Sequence, residues 1–245
     1  MHSLSFSVIV FSLSRMNAIH PHQPVGEAIV PTFPGSIFPT PANCNALSAR
    51  YCSLAPLVSA VHGPDLADAF HDDPNVWTYM SVGPFGSKTE FQKYLTPFAA
   101  QKDQLCLVII DNSTKKAVGM ASYLRINPEM GSIEVGFVAF SSLLRRTPAA
   151  TEAMYLMMRH AFVGLGYRRY EWKCDALNAP SRHAALRLGF QFEGVFRQER
   201  VIKGRNRDTA WFSVIDKELP FIETRFQKWL EPSNFGPTGM QKSKL

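Results

Sequence analysis

The chain has 245 residues, 46% apolar and 19% charged, enough to bury a sizeable core in one domain or a small pair. No apolar run reaches the ~20 residues that span a bilayer, and no repeat of fixed period is visible, which disfavours a membrane-spanning protein and a repeat array. The formal charge of +6 and the pI near 9.2 suit an anionic ligand without naming one.

Cys44, Cys52, Cys106 and Cys174 lie far apart, with no C-x-x-C and no paired histidine spacing. A disulfide framework and a zinc site are both poorly supported, and free thiols in a reducing compartment are expected. Met1 to Arg15 has an apolar centre, but no Lys or Arg precedes it and no small-residue cleavage site follows. It reads as a leader, or as sequence upstream of a start at Met16, and a cytoplasmic protein is expected. Residues 16–44 hold six of the seventeen prolines and show no period. Residues 1–44 are therefore expected to be a poorly ordered arm, residues 45–230 the domain and residues 231–245 a tail.

Leu47 to Leu54 predicts a strand, and Gly63-Pro64-Asp65 predicts the start of a short helix ending at His71-Asp72-Asp73-Pro74. His71, Asp72 and Asp73 are metal-ligating types, but polar residues before a proline read first as a solvated turn, and no metal is expected. Ser87-Lys88-Thr89-Glu90 is a capping-box pattern, so a helix should run from there to about Gln101, kinked at Pro97. Gln104 to Ile110 predicts a buried strand, 111–116 a hairpin loop, and Ala117 to Ile126 its partner. After a turn at 127–131 comes a fourth strand, Ser132 to Phe140. Alternation puts Ile133, Val135 and Phe137 on one face of it and Ser132, Glu134 and Gly136 on the other.

Leu143 to Ala153 reads LLRRTPAATEA, a basic loop turning into a helix. Ala150, Met154, Met157, Met158, Ala161, Phe162 and Leu165 recur at helical spacing, Gly166 can end the helix, and the two adjacent methionines read as core. Arg168 to Cys174 is a strand, and Ala179 to Leu188 a short helix with Asn178 as N-cap, Pro180 in its first turn and Gly189 at its end. Gln191 to Ile202 and Arg207 to Asp216 make a hairpin around residues 203–206, and a last amphipathic helix runs from Glu218 to Leu230. The order β-α-α-β-β-β-α-β-α-β-β implies one α/β domain on a mixed sheet, with a single crossover helix between the fourth and fifth strands.

Two helix starts, at Arg145–Ala150 and Asn178–Ser181, follow successive strands and would open on one cleft at the edge of the sheet. First-turn amides and the positive end of the helix dipole favour an anion there, and Arg145 and Arg146 add charge. Pro148 removes one amide from that turn. Ordinary capped turns would explain both stretches equally well, so the residues alone leave the choice open.

The run IEVGFVAFSSLLRRTPAATEAMYLMMRHAF, followed by GYRRYEWKCDALNAPSRHAALRLGFQFEGVFRQ, closely resembles the GNAT superfamily of acetyl-CoA-dependent N-acetyltransferases, in particular the branch related to the enzymes that acetylate ribosomal-protein N-termini. The resemblance covers about Ser48 to Pro220. It implies a GNAT-like mixed, mostly antiparallel sheet with flanking helices, in which the fourth and fifth strands, Ser132 to Phe140 and Arg168 to Cys174, splay apart. It implies a pyrophosphate loop at Arg145, Arg146, Thr147, Ala149 and Ala150, pantetheine contacts from Val138, Ala139 and Phe140, and Asn178 and Ser181 beside the pantetheine and the sulfur. Two positions depart from the family. Pro148 replaces the loop's first glycine, and Ala185 stands where many relatives have a tyrosine that protonates the departing thiolate, which leaves Ser181 as the nearest candidate donor.

The implied reaction is direct transfer of the acetyl group of acetyl-CoA, a co-substrate, to a primary amine, without a metal. An amine of pKa near ~10 must lose a proton before it attacks, which calls for a carboxylate within reach. Glu134 is expected to be that base, the alternative being a partly exposed strand glutamate paired with an arginine. A backbone N–H in the splay would hold the developing oxyanion. Trp77, Tyr79 and Phe85 are expected to form an aromatic wall for the acceptor, or else to close the core. His160 and His183 read as packing or surface residues, and Arg205 and Asp208 as a solvated hairpin tip with the option of reading a charged acceptor. The acceptor should be a small-molecule or peptide amine, and the chain a monomer or homodimer. A membrane partner is not expected, nor is a nucleic acid, since Lys203, Arg205 and Arg207 lack interleaved aromatics. A non-catalytic acyl-CoA-binding protein on the same fold is the rival reading, and Pro148 and Ala185 are what favour it.

Overall fold

Eight strands form one sheet: β1 (Leu47–Ser48), β2 (Cys52–Pro56), β3 (Leu105–Asp111), β4 (Ala117–Asn127), β5 (Ser132–Phe140), β6 (Arg169–Asp175), β7 (Gln191–Ile202) and β8 (Arg205–Ile215). Among the described residues their spatial order is β1-β2-β3-β4-β5-β6-β8-β7, and only β5 and β6 run parallel. The helices are α1 (Ser59–Phe70), α2 (Lys88–Ala99), α3 (Pro148–Arg159), α4 (Ala179–Arg187) and α5 (Leu219–Leu230). The parallel pair follows from α3, the crossover between β5 and β6. This computed structural model describes residues 26, 33–44, 47–236 and 239–245. It divides into two units, Met1–Pro34 and Gly35–Leu245, and the expected leader with Met16 lies outside the described residues. No helix among the described residues is long and apolar enough to cross a membrane.

Helices cover both faces of the sheet. One face packs on α1 and α2 through Leu66, Phe70, Phe91, Leu95 and Met120. The other packs on α3 and α5 through Ile133, Val135, Met157, Met158 and Phe226, so the adjacent methionines are core. Residues 35–44 run along this second unit, with the Ser36 amide donating to the Pro128 carbonyl at 2.9 Å and the Ile37 amide to Leu165 at 2.8 Å. All four cysteines are buried free thiols, and burial pushes Cys44 and Cys106 up to about 12.

Local sequence signals misplace two elements. The first helix begins at Ser59, four residues before Gly63, and carries Pro64 inside it. Its buried face, Leu66, Ala67 and Phe70, outweighs the turn signal of Gly-Pro-Asp. The strand expected over 47–54 is instead a tight hairpin, with Leu47 opposite Leu54. The cause is Glu152 on α3, which is 2% exposed. Its carboxylate accepts from the amides of Arg50 (3.1 Å), Tyr51 (2.6 Å) and Cys52 (2.8 Å), holding the turn's donors where no strand partner reaches them. Ser87 caps α2 as expected, accepting from the Glu90 amide at 3.1 Å.

Glu152→Ala should leave those donors, the Cys52 amide fully buried among them, without an acceptor and lower the unfolding free energy by about 3 kcal/mol. A denaturant titration checks it, and an unchanged midpoint would mean that the hairpin does not depend on this carboxylate.

Candidate active site

The site begins with one irregularity in β5. Ser122 of β4 lies opposite Gly136, but Met120 lies opposite Ala139, so β5 carries one residue more than its partner between them. The extra residue is absorbed at Phe137, whose φ of 48° is left-handed. The Phe137 ring packs 4.4 Å from Phe98 and 6.4 Å from Tyr94, on the α1/α2 side. This corrects the face expected from alternation, because Phe137 leaves the side of Ile133 and Val135, and Val138 and Phe140 take its place there.

The same bulge ends the pairing of β5 with β6. Ser132–Val135 pair with Arg169–Trp172, and beyond that point β5 continues to Phe140 while the last residues of β6 pair only with β8. The sheet opens between the two strands, and the backbone of 136–140 faces the gap without a strand partner on that side. Val138, Ala139 and Phe140 therefore lie on one lip of the opening.

Glu134 sits just before the bulge and is 6% exposed. Its Oε2 stands 3.0 Å from Lys173 Nζ and 3.1 Å from Arg125 Nε, contacts that pair the charges without a well-directed hydrogen bond to that oxygen. Lys173, itself almost fully buried, also lies 2.7 Å from Glu171 and 3.8 Å from the centre of the Trp211 ring. Burial pushes the Glu134 carboxyl above its usual value, against the pull of Lys173 and Arg125 and with a further push from Glu171. The arginine of the alternative reading is present, but the glutamate is buried rather than partly exposed. Gly136 makes room for this arrangement, since a Cβ there would stand 2.6 Å from Leu124 Cδ1 and 3.0 Å from Glu134 Oε1.

The loop after β5 is pinned at two points. Ser141 Oγ donates to the Val118 carbonyl at 2.6 Å, and the buried Leu144 rests on Gly119, where a Cβ would come within 2.4 Å of its side chain. Thr147 caps α3, donating from Oγ1 to the Leu144 carbonyl (2.7 Å) and accepting from the Ala150 amide (3.3 Å). The Thr147 amide itself donates to Leu144 at 3.2 Å. Of the amides in this loop, those of Arg145, Thr147 and Ala150 thus serve the turn, the first donating to the Ser141 carbonyl at 3.0 Å, and those of Arg146 and Ala149 have no acceptor among the described residues. Arg145 is ion-paired to Asp73, which is not merely part of a solvated turn. Arg146 is exposed, with φ 63°.

On the facing lip, Asn178 caps α4 as expected, accepting from the Ser181 amide at 3.2 Å. Ser181 Oγ accepts from Trp172 Nε1 at 3.0 Å, and its own proton lies within reach of the Cys174 thiol, whose ionised form it favours. Trp172 is the last β6 residue paired with β5, so Ser181 is held at the apex of the opening. Ala185 is fully buried in the core and offers no hydroxyl.

The proposed aromatic wall divides. Trp77 is 2% exposed and meets Phe70, Phe85 and Phe91 at 5.5, 5.0 and 5.6 Å, so Trp77 and Phe85 close the α1/α2 core, the second of the two expectations. Tyr79 instead reaches across and donates to the Leu177 carbonyl at 3.2 Å, next to Asn178. Lys203 at the β7–β8 turn donates to the Trp77 carbonyl at 2.8 Å. Residues 73–79 therefore form a strap tied to the Arg145 loop, to the loop before α4 and to the hairpin tip. His160 is a packing residue, with Nε2 3.0 Å from the Asn43 carbonyl, while His183 is exposed. Asp208 braces its hairpin, accepting from the Gln198 amide and from Asn206. No group of three potential metal ligands occurs among the described residues.

Sequence reasoning missed Lys173 and Arg125, and gave Asp73 and Lys203 roles other than the contacts they make. For Lys173 a signal existed, since Arg169, Glu171 and Lys173 alternate with Tyr170, Trp172 and Cys174. The other three act through contacts distant in sequence.

An opened parallel strand pair beside a helix N-terminus narrows the family, and comparison with known proteins settles it. The model of the acetyltransferase (GNAT) domain matches residues 53–191. The chain belongs to the GNAT acetyltransferase family. It is 42% identical to a GCN5-related N-acetyltransferase from Brucella melitensis, whose crystal structure superposes with a TM-score of 0.82 over 86% of this chain and 95% of that one. A probable acetyltransferase of the family from Chromobacterium violaceum is 39% identical, with a TM-score of 0.74 over 82% of this chain and 98% of that one. The "Uncharacterized N-acetyltransferase p20" of Bacillus licheniformis is 26% identical over 157 residues, 63% of this chain and 88% of that protein.

Gly136→Ala should destabilise the protein by about 1–3 kcal/mol and shift Glu134 or Leu124, cutting acetyl transfer beyond what the loss of folded protein explains. Denaturant titration combined with a rate per folded chain separates the two effects, and wild-type values for both would show that the close approach is relieved without cost.

Proposed function

We propose that the chain moves the acetyl group of acetyl-CoA to a primary amine in the opening between β5 and β6, with Glu134 as the base. The observation that carries this reading is the opening itself. A strand edge with free N–H and C=O groups pairs with an extended amide-bearing chain, and the pantetheine arm is such a chain. Val138, Ala139 and Phe140 would supply that pairing. Arg146, the amide of Ala149 and the dipole of α3 suit a pyrophosphate, and Arg145 can join them by exchanging Asp73 for phosphate. Thr147 and Ala150 shape the turn, and Pro148 opens the helix at a position where an amide has no intrahelical partner.

Acetyl-CoA supplies an acetyl group already activated as a thioester. The chain's part is to take a proton from the incoming ammonium and to steady the charge on the carbonyl oxygen. Glu134 suits the first task because burial raises its basicity while Lys173 and Arg125 favour the ionised form. Backbone N–H groups on the lip of β5 suit the second. Ser181, whose hydroxyl already favours one ionised thiol at Cys174, suits donation to the departing thiolate by turning its proton to it, and Asn178 fixes the turn that carries it. Tyr79 on the strap borders the side from which an acceptor enters. The acceptor is a small-molecule or peptide amine.

Thiol release from acetyl-CoA with a panel of amines tests the reading, and binding of acetyl-CoA with no release for any amine would favour the non-catalytic rival. Arg146→Ala should raise the KM for acetyl-CoA about tenfold, the worth of one charge-assisted hydrogen bond, with little change in the KM for the amine. An equal rise in both would remove Arg146 from the pyrophosphate site.

The raised carboxyl of Glu134 sets a pH prediction. A base must be unprotonated, so kcat/KM should fall as pH drops through this group, at a higher pH than an ordinary glutamate would give. Lys173→Met removes a cation that favours ionisation and should move that acidic limb further up. Glu134→Gln should lose most activity between that limb and the amine's own pKa, where the carboxylate is ionised and unprotonated amine is still scarce, and less below the limb, where the wild type has lost its base as well. A limb unmoved by Lys173→Met would exclude Glu134 as the titrating base.

A further inference from the structure

We infer that the acceptor carries an anionic group, a carboxylate or a phosphate, several bonds from its amine, and that Arg207 reads it; this rests on the acetyl-transfer reading above. The β7–β8 hairpin extends past the end of β6 and is tied to the strap through Lys203, and between Arg197 and Asp208 it carries five basic residues against two acidic ones. Both acids are occupied. Glu199 accepts from Thr209 Oγ1 at 2.9 Å and pairs with Arg200 (3.3 Å) and Arg125 (3.6 Å), while Asp208 takes the Gln198 amide and Asn206. Lys203 is committed to the strap. Arg200 is paired, and Arg197 and Arg205 are exposed to water.

Arg207 differs from the others. It is half-buried, its Nε is shielded from solvent, and that N–H has no acceptor among the described residues. One N–H of this guanidinium is thus out of water without an acceptor, which is costly, and an anionic ligand on the rest of the group would offset that cost. Both irregularities in the hairpin register fall on β7, between Phe192 and Gly194 and between Phe196 and Arg200, so β8 alternates regularly and Arg207 shares a face with Thr209 and Trp211. That face carries Lys173 against Trp211 and, through Lys173, Glu134.

Arg207 also lies past the end of β6. The last β6–β8 pair is Asp175 with Thr209, and the Ala176 amide donates to the Asp208 carbonyl at 2.8 Å. This sets Arg207 beside Ala176 and Leu177, where Tyr79 lands and one turn before Ser181. The charge of Arg207 is felt by the Cys174 thiol, which burial raises and the Ser181 hydroxyl and this arginine lower. Trp211 is four residues away along an extended strand, roughly 13 Å at ~3.3 Å per residue. An anion on Arg207 and an amine near Glu134 are therefore spaced as on a chain of several bonds, not as in an α-amino acid, where one carbon separates them. A polyamine would bring a second cation against Arg207 and is disfavoured.

The test uses the full chain with acetyl-CoA and four amines of matched length: hexylamine, 6-aminohexanoate, 6-aminohexyl phosphate and 1,6-diaminohexane. The two anionic amines should exceed hexylamine in kcat/KM by about tenfold, through KM more than kcat, with the diamine poorest. Arg207→Met should bring the anionic-to-neutral ratio to about one, and Arg207→Lys should restore part of it, with thermal unfolding showing that each variant is folded. The carboxylate and phosphate arms show which anion fits better. Turnover of hexylamine with no preference for the anions, or a preference that survives Arg207→Met, overturns this inference and leaves acetyl transfer standing. Acetyl-CoA binding by calorimetry with no thiol release for any of the four amines overturns both.

Discussion

The left-handed conformation of Phe137 is the constraint on which the rest of the site depends. A strand has a side-chain period of two, so one extra residue reverses the faces of everything after it. Here it moves Val138 and Phe140 onto the α3 side, sends Phe137 to α2, and turns the end of β5 away from β6. A non-glycine residue at φ 48° carries a strain on the order of 1–3 kcal/mol. Ring packing on Phe98 and Tyr94 offsets it, at about 0.5–1.5 kcal/mol per aromatic pair beyond the area buried. The opening is thus a consequence of packing on one face of the sheet that alters hydrogen bonding along its plane.

A second balance lies beside it. Four charged side chains, Glu134, Lys173, Glu171 and Arg125, crowd the start of the opening. Burial alone would favour neutral carboxyls, and the cations alone would hold both carboxylates ionised. At Glu134 burial prevails and the carboxyl is raised; at Glu171 burial is outweighed by hydrogen bonds from Arg169 and Lys173, and the carboxyl is lowered. Two glutamates opposite each other on paired strands are therefore driven apart in basicity by their neighbours, with one Lys173 ammonium shared between them and steadied by the Trp211 ring.

How much of this was legible in the sequence depends on the range of the interaction. The caps at Ser87 and Asn178, the methionine core of α3 and the crossover between β5 and β6 follow from contacts within a few residues, and the sequence states them. The start of α1 and the hairpin at 49–51 do not follow, because a buried helix face and a carboxylate a hundred residues away overrule the local signals. Phe137 was misplaced for another reason: IEVGFVAF alternates well enough that a bulge inside it leaves no mark. In the anion loop the arginines and the helix start were visible, but which amides Thr147 consumes and which acid Arg145 meets are set by the folded geometry.

The strap gives those distant contacts a shared consequence. Arg145 is held by Asp73, Leu177 by Tyr79 and the hairpin tip by the Trp77 carbonyl, all within seven residues of chain. On the proposed reading, a phosphate that takes Arg145 must displace a carboxylate, and the freed carboxylate belongs to the segment that would border the acceptor's entrance. Whatever free energy the phosphate contributes is then reduced by the lost ion pair, and the loss is borne at the acceptor side of the cleft. Linkage is reciprocal, so an acceptor that shifts the strap must alter the hold on phosphate by the same factor. An anion loop so tied to its own protein's acid would thus be coupled to a site it does not touch.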